Sequence, residues 1–204
     1  MPPTAFVALL PSLLVPALLV AYPTSLWPAA VLYHAYCVIA SFLYEDPDDP
    51  RPLYLRLAVP HWPPIAAALA IVAVGELIAW GVVDVRGWLP AGSRELVATT
   101  TPWRWFAIYA VLANGYFSER FWRGALLART GVLAGAAAFA LMHGIAAGVR
   151  LGVMAGLVNG VAALVAGLAW GGLRDRYGSL WPSVLTHMAV DAALIRVAGA
   201  LLVP

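Results

Sequence analysis

Apolar stretches about as long as a bilayer is thick follow one another along the chain, separated by short polar breaks. They fall near 4 to 22, 24 to 44, 63 to 83, 103 to 127, 131 to 149, 151 to 173 and 179 to 203. The breaks are Pro23, the acidic run EDPDDPR at 45 to 51, Pro63 with Pro64, Pro102, Gly131, Arg150 and the hairpin RDRYGS at 174 to 179. Nothing alternates apolar with polar at every second position, as a membrane strand would, so only helices satisfy the backbone at these lengths. The pattern predicts an all-α polytopic membrane helix bundle of about seven transmembrane helices. Pro11 and Pro16 interrupt the first stretch, and one helix fewer crosses if that stretch lies in the interface instead.

Composition agrees with the pattern. Of 204 residues, 63% are apolar and 11% charged, too little charge to cover a water-soluble surface. The longest polar interval, near 84 to 104, is itself broken by Trp88 and Leu89, which leaves no room for a soluble domain. A single transmembrane domain over 1 to 204 is expected, with N-terminal helices to 102 and a core from 103 to 195. A net charge of +2, carried by scattered arginines, excludes nucleic acid as a partner and leaves membrane lipid. Every basic residue is Arg and none is Lys. With the Ala, Gly and Pro content, this points to a bacterial origin and hence the bacterial cytoplasmic membrane. Arg51, Arg56, Arg129, Arg174 and Arg176 on one side nearly balance Arg86, Arg94, Arg104 and Arg150 on the other, so loop charge does not orient the bundle. The N-terminal stretch lacks the basic flank of a secretory signal and is expected to stay as a helix. The lone Cys37 reads as a buried small hydrophobe. His61 reads as interfacial, and tryptophans near the span ends read as an aromatic belt.

Glycines recur at four-residue spacing in the fifth and sixth stretches, among them Gly144 with Gly148 and Gly152 with Gly156 and Gly160. Such stripes let helix backbones approach closely, and packing alone explains them.

Ionisable groups inside apolar helices are costly and mark function or pairing. Here they include His34, Glu76, Glu119, Arg120, Arg123, His143, His187 and Asp191. Measured from the side of the 174 to 178 hairpin at the rise of an α-helix, Glu119 and His187 lie roughly 12 Å deep, His143 and Asp191 roughly 18 Å. Three helices thus present polar groups in one slab, expected to form a cavity opening toward that hairpin. His187 and Asp191 are four apart, as are Glu119 and Arg123, so each couple shares a helix face. Two satisfied pairs that merely fix helix register would look the same.

In order and spacing, the segments SERFWRGALLAR at 118 to 129, FALMH at 139 to 143 and GSLWPSVLTHMAVD at 178 to 191 resemble the three motifs of the CPBP intramembrane proteases. These are bacterial relatives of the CAAX prenyl endopeptidase, with motifs EExxxR, FxxxH and HxxxN or HxxxD. The resemblance covers roughly 103 to 195 and is closest to the CAAX protease-related subgroup. One position departs: Ser118 stands where the family has the first of two adjacent glutamates, the one held to activate water.

The resemblance implies an endopeptidase cleaving a membrane-associated peptide or protein by Glu- and His-activated water, with Glu119, His143, His187 and Asp191 as catalytic residues. His143 would hold the water with a glutamate, while His187 and Asp191 would donate to or orient the tetrahedral intermediate. Arg123 would clamp the carboxylate on its own helix, with Ser118 at the altered position. No cofactor is expected. The alternative is a zinc ion on His143, His187 and Glu119, a three-ligand catalytic set. Because adjacent helical residues point about 100° apart, Glu119 does not simply replace its neighbour, and Glu76 on the third stretch is a second candidate carboxylate. The competing reading is a catalytically silent member of the same fold that binds or scaffolds a membrane partner. A transporter, which also places polar groups at the midplane, is more distant.

Overall fold

The computed structural model describes residues 4–44, 62–66, 69–70, 73 and 92–200. Every regular element among them is helical. The first apolar stretch is divided at Leu10 into α1 (Thr4–Leu9) and α2 (Pro11–Ala21). Pro11 lacks an N–H, so it interrupts one hydrogen-bonded turn and starts the next without cost. Next come α3 (Trp27–Tyr44), the short α4 (Ser93–Thr99) and α5 (Trp103–Tyr109). The chain runs on from α5 without a break through two π-helical stretches, Ala110–Ser118 and Arg120–Leu126, into α6 (Leu127–Leu151). After α6 come α7 (Val153–Tyr177) and α8 (Trp181–Ala200). Of the expected third span only 62–66, 69–70 and 73 are described, and Glu76 and His61 lie outside the described residues.

Four described stretches are long and apolar enough to cross a bilayer: Thr4–Ala21, Trp27–Tyr44, Trp103–Leu151 and Val153–Tyr177. The third has 49 residues, more than twice the roughly 20 that one crossing needs. Gly131, at φ 73° and ψ 168°, breaks it where the sequence pattern placed a boundary. Only glycine enters that region of backbone space at low cost. The 20-residue α8 carries His187 and Asp191 and owes its place to polar contacts as much as to hydropathy. The chain is an all-α membrane helix bundle and an integral membrane protein.

The π-helical stretch through Trp122 and Leu126 lies at the centre, packed on one side by α3 and on the other by α6. Phe121, Trp122, Leu126, Cys37 and Phe139 are buried there. Two close approaches set the helix spacing. A Cβ on Gly156 would sit 2.8 Å from both the Gly144 carbonyl oxygen and the Gly148 Cα, so α6 and α7 touch backbone to backbone. A Cβ on Gly115 would sit 3.2 Å from the Met188 nitrogen, so α8 also packs closely on the first π-helical stretch. The second contact brings His187 beside Asn114. Arg174, buried at the end of α7, donates from Nε to the Arg123 carbonyl at 3.3 Å and ties the hairpin to the central helix. The outer face of α7, with Val153, Leu157, Val161 and Val165 exposed, is apolar throughout, as a lipid-facing surface requires.

Candidate functional site

His187 on α8 is gripped at both ring nitrogens. Nδ1 lies 2.8 Å from Glu119 Oε1, and Nε2 lies 3.2 Å from Asn114 Nδ2. The Trp170 indole stacks on the imidazole at 4.1 Å with 19° between the planes. Glu119 Oε1 also accepts from Arg123 Nη1 at 2.9 Å, and both side chains are buried. The Arg123 guanidinium rests over the Phe139 ring at 4.5 Å and the Trp170 ring at 5.3 Å. A cation in the hydrocarbon region is therefore held by one carboxylate and two aromatic faces, which offsets its desolvation.

The π-helical winding makes this grip possible. Asn114 and Glu119 are five residues apart, which in an α-helix would leave them about 140° apart around the axis. Where hydrogen bonds run from i to i+5 the turn is wider, and residues five apart come much nearer to sharing one face. Both side chains can then reach the same imidazole from one helix.

Asn114 also donates from Nδ2 to Asp191 Oδ2 at 2.9 Å, and His34 Nε2 lies 3.4 Å from Asn114 Oδ1. His34 Nδ1 is in turn 2.8 Å from the Tyr109 hydroxyl. Asp191 and His187 Nε2 stand 3.7 Å apart, too far for a hydrogen bond, and the Asn114 amide bridges them.

His143 sits differently. Its Nδ1 lies 3.0 Å from the carbonyl of Phe139 one turn earlier, which makes Nδ1–H the donor and leaves Nε2 with a lone pair and no partner among the described residues. The ring is half-buried and lines a cavity of about 290 Å³ together with Tyr33, Asn114 and Asn159. Phe139 links the two histidines, its centroid 4.2 Å from His143 and 6.1 Å from His187. Leu26, Leu96, Arg150 and Leu151 also line the cavity. It therefore runs toward the turn between α6 and α7, opposite to the hairpin side that depth alone suggested. The hairpin side is closed by Glu119, Arg123 and Arg174, all buried.

The structure brings Glu119, Arg123, His187 and Asp191 into one network with His143 beside it across Phe139. Among the described residues no carboxylate hydrogen-bonds His143, whose partner is the Phe139 carbonyl. Ser118 is fully buried, its Oγ 3.0 Å from the Tyr33 hydroxyl, which accepts from Trp122 Nε1 at 2.8 Å. Arg120 lies over the Phe42 ring at 4.6 Å, on the outside of the core. Cys37 is a free, buried thiol. Asn114 and Asn159 joined the site without being singled out from the sequence, and His34, noted there as an ionisable group, had been given no role. A neutral amide carries no charge to flag it, and α-helical spacing would have turned Asn114 away from Glu119.

Zinc does not fit this arrangement. Among the described residues no three His, Cys, Asp or Glu side chains form a group that could hold a metal ion. Both nitrogens of His187 are already engaged, so it has no lone pair to offer a metal.

Residues 100–193, the stretch that holds Asn114, Glu119, His143, His187 and Asp191, match the family described as type II CAAX prenyl endopeptidase Rce1-like. Over these residues the chain is similar to that family. The three-motif resemblance to the CAAX proteases is thereby borne out, and the helices that carry it have the fold of a CAAX-type intramembrane protease. No curated protein and no solved structure matches the chain.

Proposed function

We propose that the chain is an intramembrane endopeptidase in which His143 is the base that activates water. The observation that carries this reading is the state of the His143 ring. Its Nδ1–H is held by the Phe139 carbonyl, and Nε2 is uncommitted in a ring that lines a cavity inside the bundle. A general base needs a fixed ring and an accessible lone pair, and His143 has both. Water held at Nε2 would pass a proton to the imidazole as it attacks a peptide carbonyl in the cavity. The imidazolium would return that proton to the leaving amine. Asn159 lines the same cavity from α7, and its uncommitted amide supplies N–H donors toward the developing oxyanion. Glu119, Arg123, His187 and Asp191 form the rigid wall behind Phe139 that keeps the base in place. The substrate would be a membrane-associated peptide entering from the side of the turn between α6 and α7, in a bacterial cytoplasmic membrane.

The test is cleavage of a panel of membrane-anchored peptides by reconstituted protein, with a chelator control. His143→Gln should lower kcat by about 10²- to 10⁴-fold while the protein stays folded. Cleavage that survives this substitution would overturn the assignment. A second reading, a silent binding protein of the same fold, is favoured by one observation: Ser118 fills the glutamate position and its hydroxyl is bound to Tyr33. On that reading wild type is inert on the whole panel while Ser118→Glu cleaves.

A further inference from the structure

The Asn114 amide has two ends, and its neighbours decide which way round it lies. If the oxygen faced α8 it would meet the Asp191 carboxylate and the His187 ring, acceptor against acceptor. With Nδ2 on that side, one N–H goes to Asp191 Oδ2 at 2.9 Å and the other reaches His187 Nε2 at 3.2 Å. An ionised Asp191 accepts only, so it favours this orientation, and the His34 contact at Asn114 Oδ1 is what keeps it.

The rest of the chain of bonds follows from that choice. His187 Nε2 must be the acceptor, so the proton sits on Nδ1 and is donated to Glu119 Oε1. At the other end Asn114 Oδ1 must accept, so His34 carries its proton on Nε2. His34 Nδ1 then accepts from the Tyr109 hydroxyl at 2.8 Å. Every donor along this line meets one acceptor, with no two like ends opposed. Tyr109 and Asn114 belong to the central helix, His34 to α3, and His187 and Asp191 to α8.

We propose that Asn114 is a positioning residue that fixes His187 as the Nδ1-protonated tautomer, with His34 holding the amide the right way round. The observation behind it is the double engagement of His187, by Asn114 at one nitrogen and Glu119 at the other, from two residues that the π-helical stretch brings toward one face. His187 then offers no N–H to a substrate oxyanion. Its task is to lock α8 against the central helix and hold Phe139, and through it His143. The term positioning residue rests on the hydrolase reading, but the tautomer does not.

The experiment reads the tautomer directly. Protein carrying ¹⁵N-labelled histidine is placed in lipid nanodiscs, and the imidazole nitrogens of His187 are assigned by loss of its signals in His187→Gln. Wild type should give a protonated Nδ1 and an unprotonated, hydrogen-bonded Nε2. Asn114→Asp, nearly the same size, replaces a donor by an acceptor and should bring a proton onto Nε2. His34→Phe should leave the amide free to turn and mix the two forms. A protonated Nε2 in wild type overturns the proposal even if no variant folds, and so does an unchanged tautomer in both variants. Cleavage measured on the same samples keeps the two readings apart. If wild type cleaves, Asn114→Asp should lower kcat with KM unchanged. If it does not cleave, the hydrolase reading fails while the tautomer result stands.

Discussion

The two ends of the polar slab are built on opposite plans. Toward the hairpin, Glu119, Arg123 and Arg174 are buried and bonded, and aromatic rings cover what remains. Toward the turn between α6 and α7, His143, Asn114 and Asn159 line a cavity, and His143 Nε2 and the Asn159 amide have no partner among the described residues. The same spread of ionisable residues therefore divides into a closed half that holds helices together and an open half that is free for chemistry. Depth in the membrane does not separate the halves. What separates them is the state of the histidine in each: both nitrogens of His187 are bonded, whereas only Nδ1 of His143 is.

The largest expected effect breaks the closed half. Arg123→Ala leaves the Glu119 carboxylate buried with His187 as its remaining partner, and removing one member of a buried pair costs about 3–5 kcal/mol. Folded yield in detergent and the unfolding midpoint should fall far more than for Arg94→Ala, which removes an exposed arginine from α4. The double variant Glu119→Leu with Arg123→Met removes both charges and should recover much of the loss. Equal midpoints for Arg123→Ala and Arg94→Ala would show that the pair does not hold the fold.

This division was only half legible in the sequence. Couples four residues apart announced the Glu119–Arg123 bond and the shared face of His187 and Asp191, because i, i+4 neighbours meet in almost any helix. The break at Gly131 was legible because a span can be only so long. The Glu119–His187 contact joins residues 68 apart in sequence, and no periodicity encodes it. Asn114 was hidden twice, by its lack of charge and by π-helical winding that changes which residues share a face. The side on which the cavity opens was misread because depth says nothing of which end the buried arginines seal.

A medium effect comes from the wall of the open half. Gly156→Val places a branched side chain where even a Cβ would be 2.8 Å from Gly148 Cα, with backbone rather than flexible side chain in the way. Overpacking of this kind costs about 1–3 kcal/mol and should push α7 away from α6. Because α6 carries His143 and α7 carries Asn159, cleavage should fall further than stability does, while the bonds around His187 persist. A midpoint unchanged from wild type would mean that the two backbones are not in contact.

The smallest effect on the fold should come from His143 itself. His143→Ala removes one hydrogen bond to the Phe139 carbonyl and the ring contact at 4.2 Å, from a half-buried position on a cavity. A bond of that kind is worth about 1 kcal/mol net, and the carbonyl keeps its place in the helical ladder. The unfolding midpoint should therefore move less than for either previous variant, although the residue lies as deep in the membrane as Asp191 and deeper than Glu119. A loss comparable to that of Arg123→Ala would mean that His143 belongs to the closed half, and the contrast between the halves would collapse along with its role as a base. A small loss beside the large one at Arg123 separates a group held for its reactivity from a group held for the fold.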